Sequence, residues 1–133
     1  MKIAIVGSGA VGSYCGAMLA LAGHSVTMIG RAAHVSAMQE HGLVLQTIQG
    51  IHTASVSATT DPAGVRAAEA VLFCVKSDDT VQAAEETSAF FRPDAIVLSL
   101  QNGVDNAERL EASLGRSVIA TAVYVAAELS APG

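Results

Sequence analysis

A short apolar run, Lys2 to Val6 (Lys-Ile-Ala-Ile-Val), ends on a glycine and reads as a fully buried strand. The period then changes. Val11, Tyr14, Cys15, Met18, Leu19 and Ala22 recur at helical spacing from Ala10 onward, and Gly23 stops the helix as a C-terminal cap residue does. Ser25 to Ile29 is a second strand, so the first thirty or so residues have the size of one βαβ crossover. Ala32 to His41 predicts a short helix ended by Gly42. Leu43 to Ile48 and Ile51 to Ser57 read as two strands around Gln49-Gly50, a hairpin. Ala70 to Val75 is another buried strand, and Asp78 to Ala89 a helix capped by Ser77 or Asp78. After Pro93-Asp94, Ala95 to Leu100 is a strand and Gln101-Asn102-Gly103 a turn. Val104, Ala107, Leu110 and Leu114 outline a helix ending at Gly115, and Ser117 to Ala127 holds one last strand or two.

Strands alternating with helices predict an α/β fold: a Rossmann-type, doubly wound, mostly parallel sheet. Right-handed crossovers place helices on both of its faces. At 133 residues the chain is one domain, 1–133, with room for a real core. Hydrophobic residues make up 51% of it, which suits short buried strands. The net charge of −5 and the absence of a basic run argue against a nucleic-acid partner. Cys15 and Cys74 lack ligand spacing and read as buried thiols in a reducing compartment; the four histidines are scattered, so no metal site is expected. Lys2 and Ala20-Leu21-Ala22 imitate a signal peptide, but Gly7, Ser8, Gly9, Gly12 and Ser13 interrupt the apolar run. The expectation is a cytoplasmic protein with no membrane partner.

Those glycines carry a motif. Gly7-Ser8-Gly9-Ala10-Val11-Gly12 is G-x-G-x-x-G, placed after a strand and opening a helix, with a second strand at the right distance. Gly7 permits a tight turn, Gly9 lets the backbone approach a pyrophosphate, and Gly12 lets helix and strand pack closely. The free N–H groups of the helix start then receive the anion. Enzymes that use NAD usually place an acid after the second strand, where it binds the ribose hydroxyls. Here the chain reads Met28-Ile29-Gly30-Arg31-Ala32-Ala33, with no acid, and Arg31 suits the 2′-phosphate of NADP.

Ligands of such sheets lie across the carboxyl ends of the strands. Two polar clusters fall there: Val75-Lys76-Ser77 and Gln101-Asn102-Gly103. Lys76 is placed to face the crevice, or is a solvated charge at a strand end. Asn102 is a crevice residue, or a turn residue of the common Asn-Gly type.

Taken together, the glycine motif, Arg31, Val75-Lys76-Ser77 and Gln101-Asn102-Gly103-Val104 occur in the order seen in 2-dehydropantoate 2-reductases (ketopantoate reductases), which the chain resembles. Ala122-Val123-Tyr124-Val125-Ala126-Ala127-Glu128 and Ala131-Pro132-Gly133 look like that family too. The resemblance implies that the glycine loop, Arg31 and Ala126 contact NADP. It implies that Lys76 lies near the nicotinamide and that Asn102 sits between cofactor and ketoacid. The implied reaction is reduction of 2-dehydropantoate by NADPH, giving pantoate for pantothenate and coenzyme A synthesis.

The family also has a helical second domain that carries the lysine proton donor and most substrate contacts. No segment here can be that domain, so the chain is expected to be a truncated piece of a two-domain enzyme. Lys76 is then only a reserve acid, and an apolar surface left near the last strand would favour self-association or a homodimer. Two alternatives stay open: a reductase of the same fold acting on another 2-ketoacid, and a stand-alone NADP-binding or sensing module.

Overall fold

A computed structural model describes residues 1–133. Its strands are β1 (Lys2–Val6), β2 (Ser25–Ile29), β3 (Leu43–Thr47), β4 (Gly50–Ala54), β5 (Ser57–Thr59), β6 (Ala70–Phe73), β7 (Ile96–Ser99) and β8 (Ile119–Ala120). Its helices are α1 (Ala10–Leu21), α2 (Ala32–His41), α3 (Thr80–Thr87) and α4 (Asn106–Leu114). Single 3₁₀ turns at Pro62–Val65, Ser77–Asp79 and Ser88–Phe90 complete the chain.

Six strands form one sheet in the order β5-β2-β1-β6-β7-β8, and every pairing in it is parallel. The order reverses at β1: the chain winds outward to β2 and β5 on one side, then returns to β6 on the other. Such a reversal opens a crevice at the carboxyl ends of β1 and β6. Because side chains alternate along a strand, β1 feeds two cores. Ile3 and Ile5 pack with Val26, Met28 and Leu72 beneath α1, α2 and the hairpin. Ala4 and Val6 pack with Val71, Phe73 and Val97 beneath α3 and α4. The predicted α/β, doubly wound architecture is therefore the observed one.

Three details differ from the sequence reading. The run expected to end at Ser57 is split: β3 and β4 form a separate antiparallel hairpin, whereas β5 leaves it to pair parallel with β2. Gln49-Gly50 makes the turn as anticipated, with Gly50 at φ +132°. The last segment keeps only two residues in strand, because β8 is an edge and pairs solely with β7. Val104 is almost wholly exposed and precedes α4, whose buried residues are Asn106 and Leu110.

The apolar stripe predicted for α1 is only partly the buried one: Cys15 and Leu19 pack against the core. Met18 and Leu21 are about half exposed, while Gly12, Gly16 and Ala17 are buried. A Cβ on Gly16 would lie 2.5 Å from the Met28 sulfur, so a small residue is what lets α1 lie against β2. Ile96 and Ile119 share the α1 face of the sheet with Leu98, through the register Leu98↔Ile119, and both are about half exposed. No helix is long and apolar enough to cross a membrane.

Candidate nucleotide-binding cleft

The crevice at the strand ends is a cleft of about 510 Å³. Gly7, Ser8 and Gly9 form its floor, Arg31 and His34 one wall, and Lys76 and Asp79 the opposite wall. The cleft thus gathers residues that are far apart in sequence because β1, β2 and β6 are neighbours with their carboxyl ends level.

The floor is built from backbone. Gly7 adopts φ +108°, a conformation that disfavours any side chain, and a Cβ there would lie 2.7 Å from the Val75 nitrogen. Its N–H donates to the Ile29 carbonyl at 2.9 Å, which fastens the turn to β2. The first N–H to enter the α1 ladder is that of Ser13, donating to Gly9 at 2.8 Å. The amides of Ala10, Val11 and Gly12 precede that ladder, and those of Ser8 and Gly9 make no hydrogen bond within the chain. Gly9 is the N-cap, has no capping side chain, and no acid stands in the first turn of α1. A ring of free donors at the positive end of a helix is the chemistry that holds a phosphate. Gly9 itself has extended backbone and nothing within 4 Å of where its Cβ would point, so the approach to those donors is open. Gly12 is the reverse case: its Cβ would overlap the Gly7 carbonyl.

On the first wall, Arg31 follows β2 after Gly30 and is the N-cap of α2. Its side chain is 84% exposed and reaches across to Asp79, 3.9 Å away. Gly30, unremarked in the sequence, must lack a side chain because Ser8 Oγ fills the space its Cβ would need. On the other wall, Lys76 is exposed and forms no ion pair. Cys74 lines the cleft beside it. Burial pushes its thiol up to about 12, so it stays protonated near neutrality and is no nucleophile for this site.

Asn102 lies at the exposed turn after β7 and does not line the cleft. Its carbonyl accepts from Asn106 Nδ2 at 2.6 Å and from Ser77 Oγ at 3.3 Å. These bonds belong to a buried polar cluster that the sequence reading missed. Gln101 Nε2 donates to the Val75 carbonyl at 3.0 Å and to Thr80 Oγ1 at 2.7 Å, and Asn106 Nδ2 donates to Ser77 Oγ at 3.0 Å. Gln101, Thr80 and Asn106 are buried, so the turns carrying Lys76 and Asn102 are fixed to each other by satisfied polar groups. Ala126 is exposed and outside the cleft; from that segment it is Leu129 that lines it. Of the expected contacts, then, Gly7, Ser8, Gly9, Arg31 and Lys76 come together around one space. Ala10, Val11 and Gly12 form the helix start behind it.

A parallel sheet reversing at β1, a glycine turn of free amides and a cation at the end of β2 define a dinucleotide-binding domain of the Rossmann type. The comparisons with known proteins narrow this. A profile of the family described as "Ketopantoate reductase PanE/ApbA" matches residues 3–133. The 2-dehydropantoate 2-reductase of Pyrococcus horikoshii is 36% identical over 118 residues, 89% of this chain and 38% of that protein. The crystal structure of a PanE/ApbA family ketopantoate reductase from Ralstonia eutropha JMP134 superposes with a TM-score of 0.96 at 50% identity, covering 99% of this chain and 44% of that one. A D-mandelate dehydrogenase solved with NADH and anilino(oxo)acetate superposes at 0.89 and 27% identity, over 99% of this chain and 43% of its own. The chain belongs to the ketopantoate reductase PanE/ApbA family, a family of nicotinamide-dependent oxidoreductases. It spans half or less of the length of the relatives it matches.

Proposed function

We propose that this chain is the cofactor-binding part of an NADPH-dependent reductase that converts 2-dehydropantoate to pantoate. The observation that carries the cofactor assignment is Arg31: it stands two residues beyond β2, where an NAD enzyme usually places an acid, and it lines the cleft. Its guanidinium offers charge-assisted hydrogen bonds to a 2′-phosphate. The free amides of the glycine turn would hold the pyrophosphate. When bound, NADPH supplies the hydride. Lys76, on the wall beside the end of β6, would lie toward the ketoacid carbonyl, with Asn102 on the adjoining turn that the Gln101–Asn106 cluster holds in place. The remaining length of the relatives would close the far side of the substrate space and furnish the main proton donor.

A second reading, reduction of another 2-ketoacid, is favoured by the likeness to D-mandelate dehydrogenase. The two are separated by assaying NADPH oxidation with 2-dehydropantoate and a panel of 2-ketoacids. The assay compares residues 1–133 with the same chain extended to its relatives' length. The extended chain is expected to prefer 2-dehydropantoate, and the short one to bind NADPH weakly without useful turnover, because orientation of the ketone contributes roughly 7–11 kcal/mol to such a reaction. Faster turnover of a different ketoacid would replace the substrate assigned here. Equal turnover by both chains would make Lys76 the leading proton donor.

The cofactor assignment has its own test. Arg31→Asp should weaken NADPH by about one to two decades, from loss of charge-assisted bonds and an added repulsion. NADH should change far less. Fluorescence titration reads both, and an unaltered NADPH affinity would remove Arg31 from the site.

A further inference from the structure

Arg31 does not stand free in the cleft. Its Nη2 lies 3.9 Å from a carboxylate oxygen of Asp79, which approaches from the 3₁₀ turn that begins α3. Nucleotide selection in this fold is usually argued from the end of β2 alone. Here the cation comes from β2 and an acid comes from the opposite wall. We propose that Asp79 tempers the cofactor preference of the cleft, drawing Arg31 across it so that NADPH is favoured over NADH by less than Arg31 alone would give. This rests on the reading of the cleft as a nicotinamide-nucleotide site.

The geometry says why the pair can act on ligands rather than on the fold. One nitrogen meets one oxygen at the outer limit of an ion pair, and the side chains are 84% and 46% exposed. Such contacts add little to stability, so Arg31 is easily shared with or surrendered to an incoming anion. A 2′-phosphate drawn to Arg31 nevertheless arrives beside Asp79, and Glu86 lines the same wall. Carboxylates that line the same cleft as a multiply charged group oppose its binding, Asp79 the more because it lies against Arg31. A ribose 2′-hydroxyl suffers no such penalty, and a carboxylate is an acceptor for it. The cations that line the cleft, Arg31 and Lys76, are thus answered by Asp79 and Glu86. Neither wall alone commits the site to the phosphorylated nucleotide.

The test is fluorescence titration of NADPH and NADH on residues 1–133 in three forms: unaltered, Asp79→Asn and Asp79→Glu. The unaltered chain should prefer NADPH, but only modestly. Asp79→Asn should raise the preference for NADPH about 3- to 10-fold, equivalent to about 0.6–1.4 kcal/mol. That gain should shrink in 1 M salt, where the Debye length is about 3 Å. Asp79→Glu, which keeps the charge, should stay near the unaltered ratio. A ratio that is unchanged or lower in Asp79→Asn would overturn the proposal, a lower one showing that Asp79 holds Arg31 ready for the phosphate. An unaltered chain that binds neither nucleotide would overturn the nucleotide reading itself, a result separable from any change in ratio.

Discussion

Gly9→Val should abolish nucleotide binding while leaving the fold intact. The cap residue has φ −77° and ψ −171°, an extended conformation that valine adopts without strain, and there is nothing within 4 Å of the site of its Cβ. The new side chain therefore enters empty space, and that space is the approach to the free amides of the glycine turn. A pyrophosphate excluded from those donors loses several charge-assisted hydrogen bonds at once. The expected loss is at least about 100-fold in affinity, or about 2.7 kcal/mol. Fluorescence titration reads the affinity, and circular dichroism with thermal melting reads the fold. Native affinity in a natively folded variant would move the phosphate site elsewhere. A collapsed melting temperature would show that Gly9 serves packing instead.

The same substitution three residues later should do the opposite. At Gly12 a Cβ would overlap the Gly7 carbonyl oxygen and lie 3.2 Å from Cys74 Cβ. The overlapped atom is backbone, in a turn whose N–H is held by Ile29, so it cannot swing aside as a side-chain tip would. Over-packing of this kind costs about 3 kcal/mol or more. A domain of this class has only about 5–15 kcal/mol of stability. Gly12→Val should therefore lower the melting temperature by roughly 10 °C or prevent folding outright. A variant that melts like the parent would refute the close approach of α1 to the turn. Together the two valines separate a glycine needed for a ligand from a glycine needed for the fold.

The first half of this architecture could be read from the chain because its signals are local. β1, β2 and α2 begin and end at the expected residues, since Gly7, Gly42 and the strand runs are punctuated by backbone chemistry that acts within a few positions. The glycine motif and Arg31 were legible for the same reason. What was not legible depends on neighbours distant in sequence. The apolar stripe on α1 was legible only in part: Cys15 and Leu19 pack on the core, but Met18 is about half exposed and closeness to Met28 requires a glycine at Gly16. Ser57 begins a strand of its own because β2 has an open edge there, a fact no window of sequence contains. Gln101 looked like a turn residue and is a buried strut, because its partners Val75 and Thr80 lie more than twenty positions away. Asp79 fell unremarked inside the helix predicted over 78–89, and only the crossover of the chain brings it opposite Arg31.

The contact between α1 and the glycine turn bears on time as well as on fit. The turn is pinned to β2 by one amide and butted against the helix by its own carbonyl, so the donors at Ser8 and Gly9 do not have to be gathered when a nucleotide arrives. Little ordering entropy is then left to be lost at the phosphate end, and encounter there needs no prior rearrangement of the protein. Two parts of a bound dinucleotide would consequently meet different kinds of surface. The pyrophosphate that links its two nucleosides would meet one that is already formed, and the adenosine would meet long, exposed side chains that must choose a partner. Discrimination between nucleotides would then be expressed mainly in how long each stays rather than in how fast it is captured.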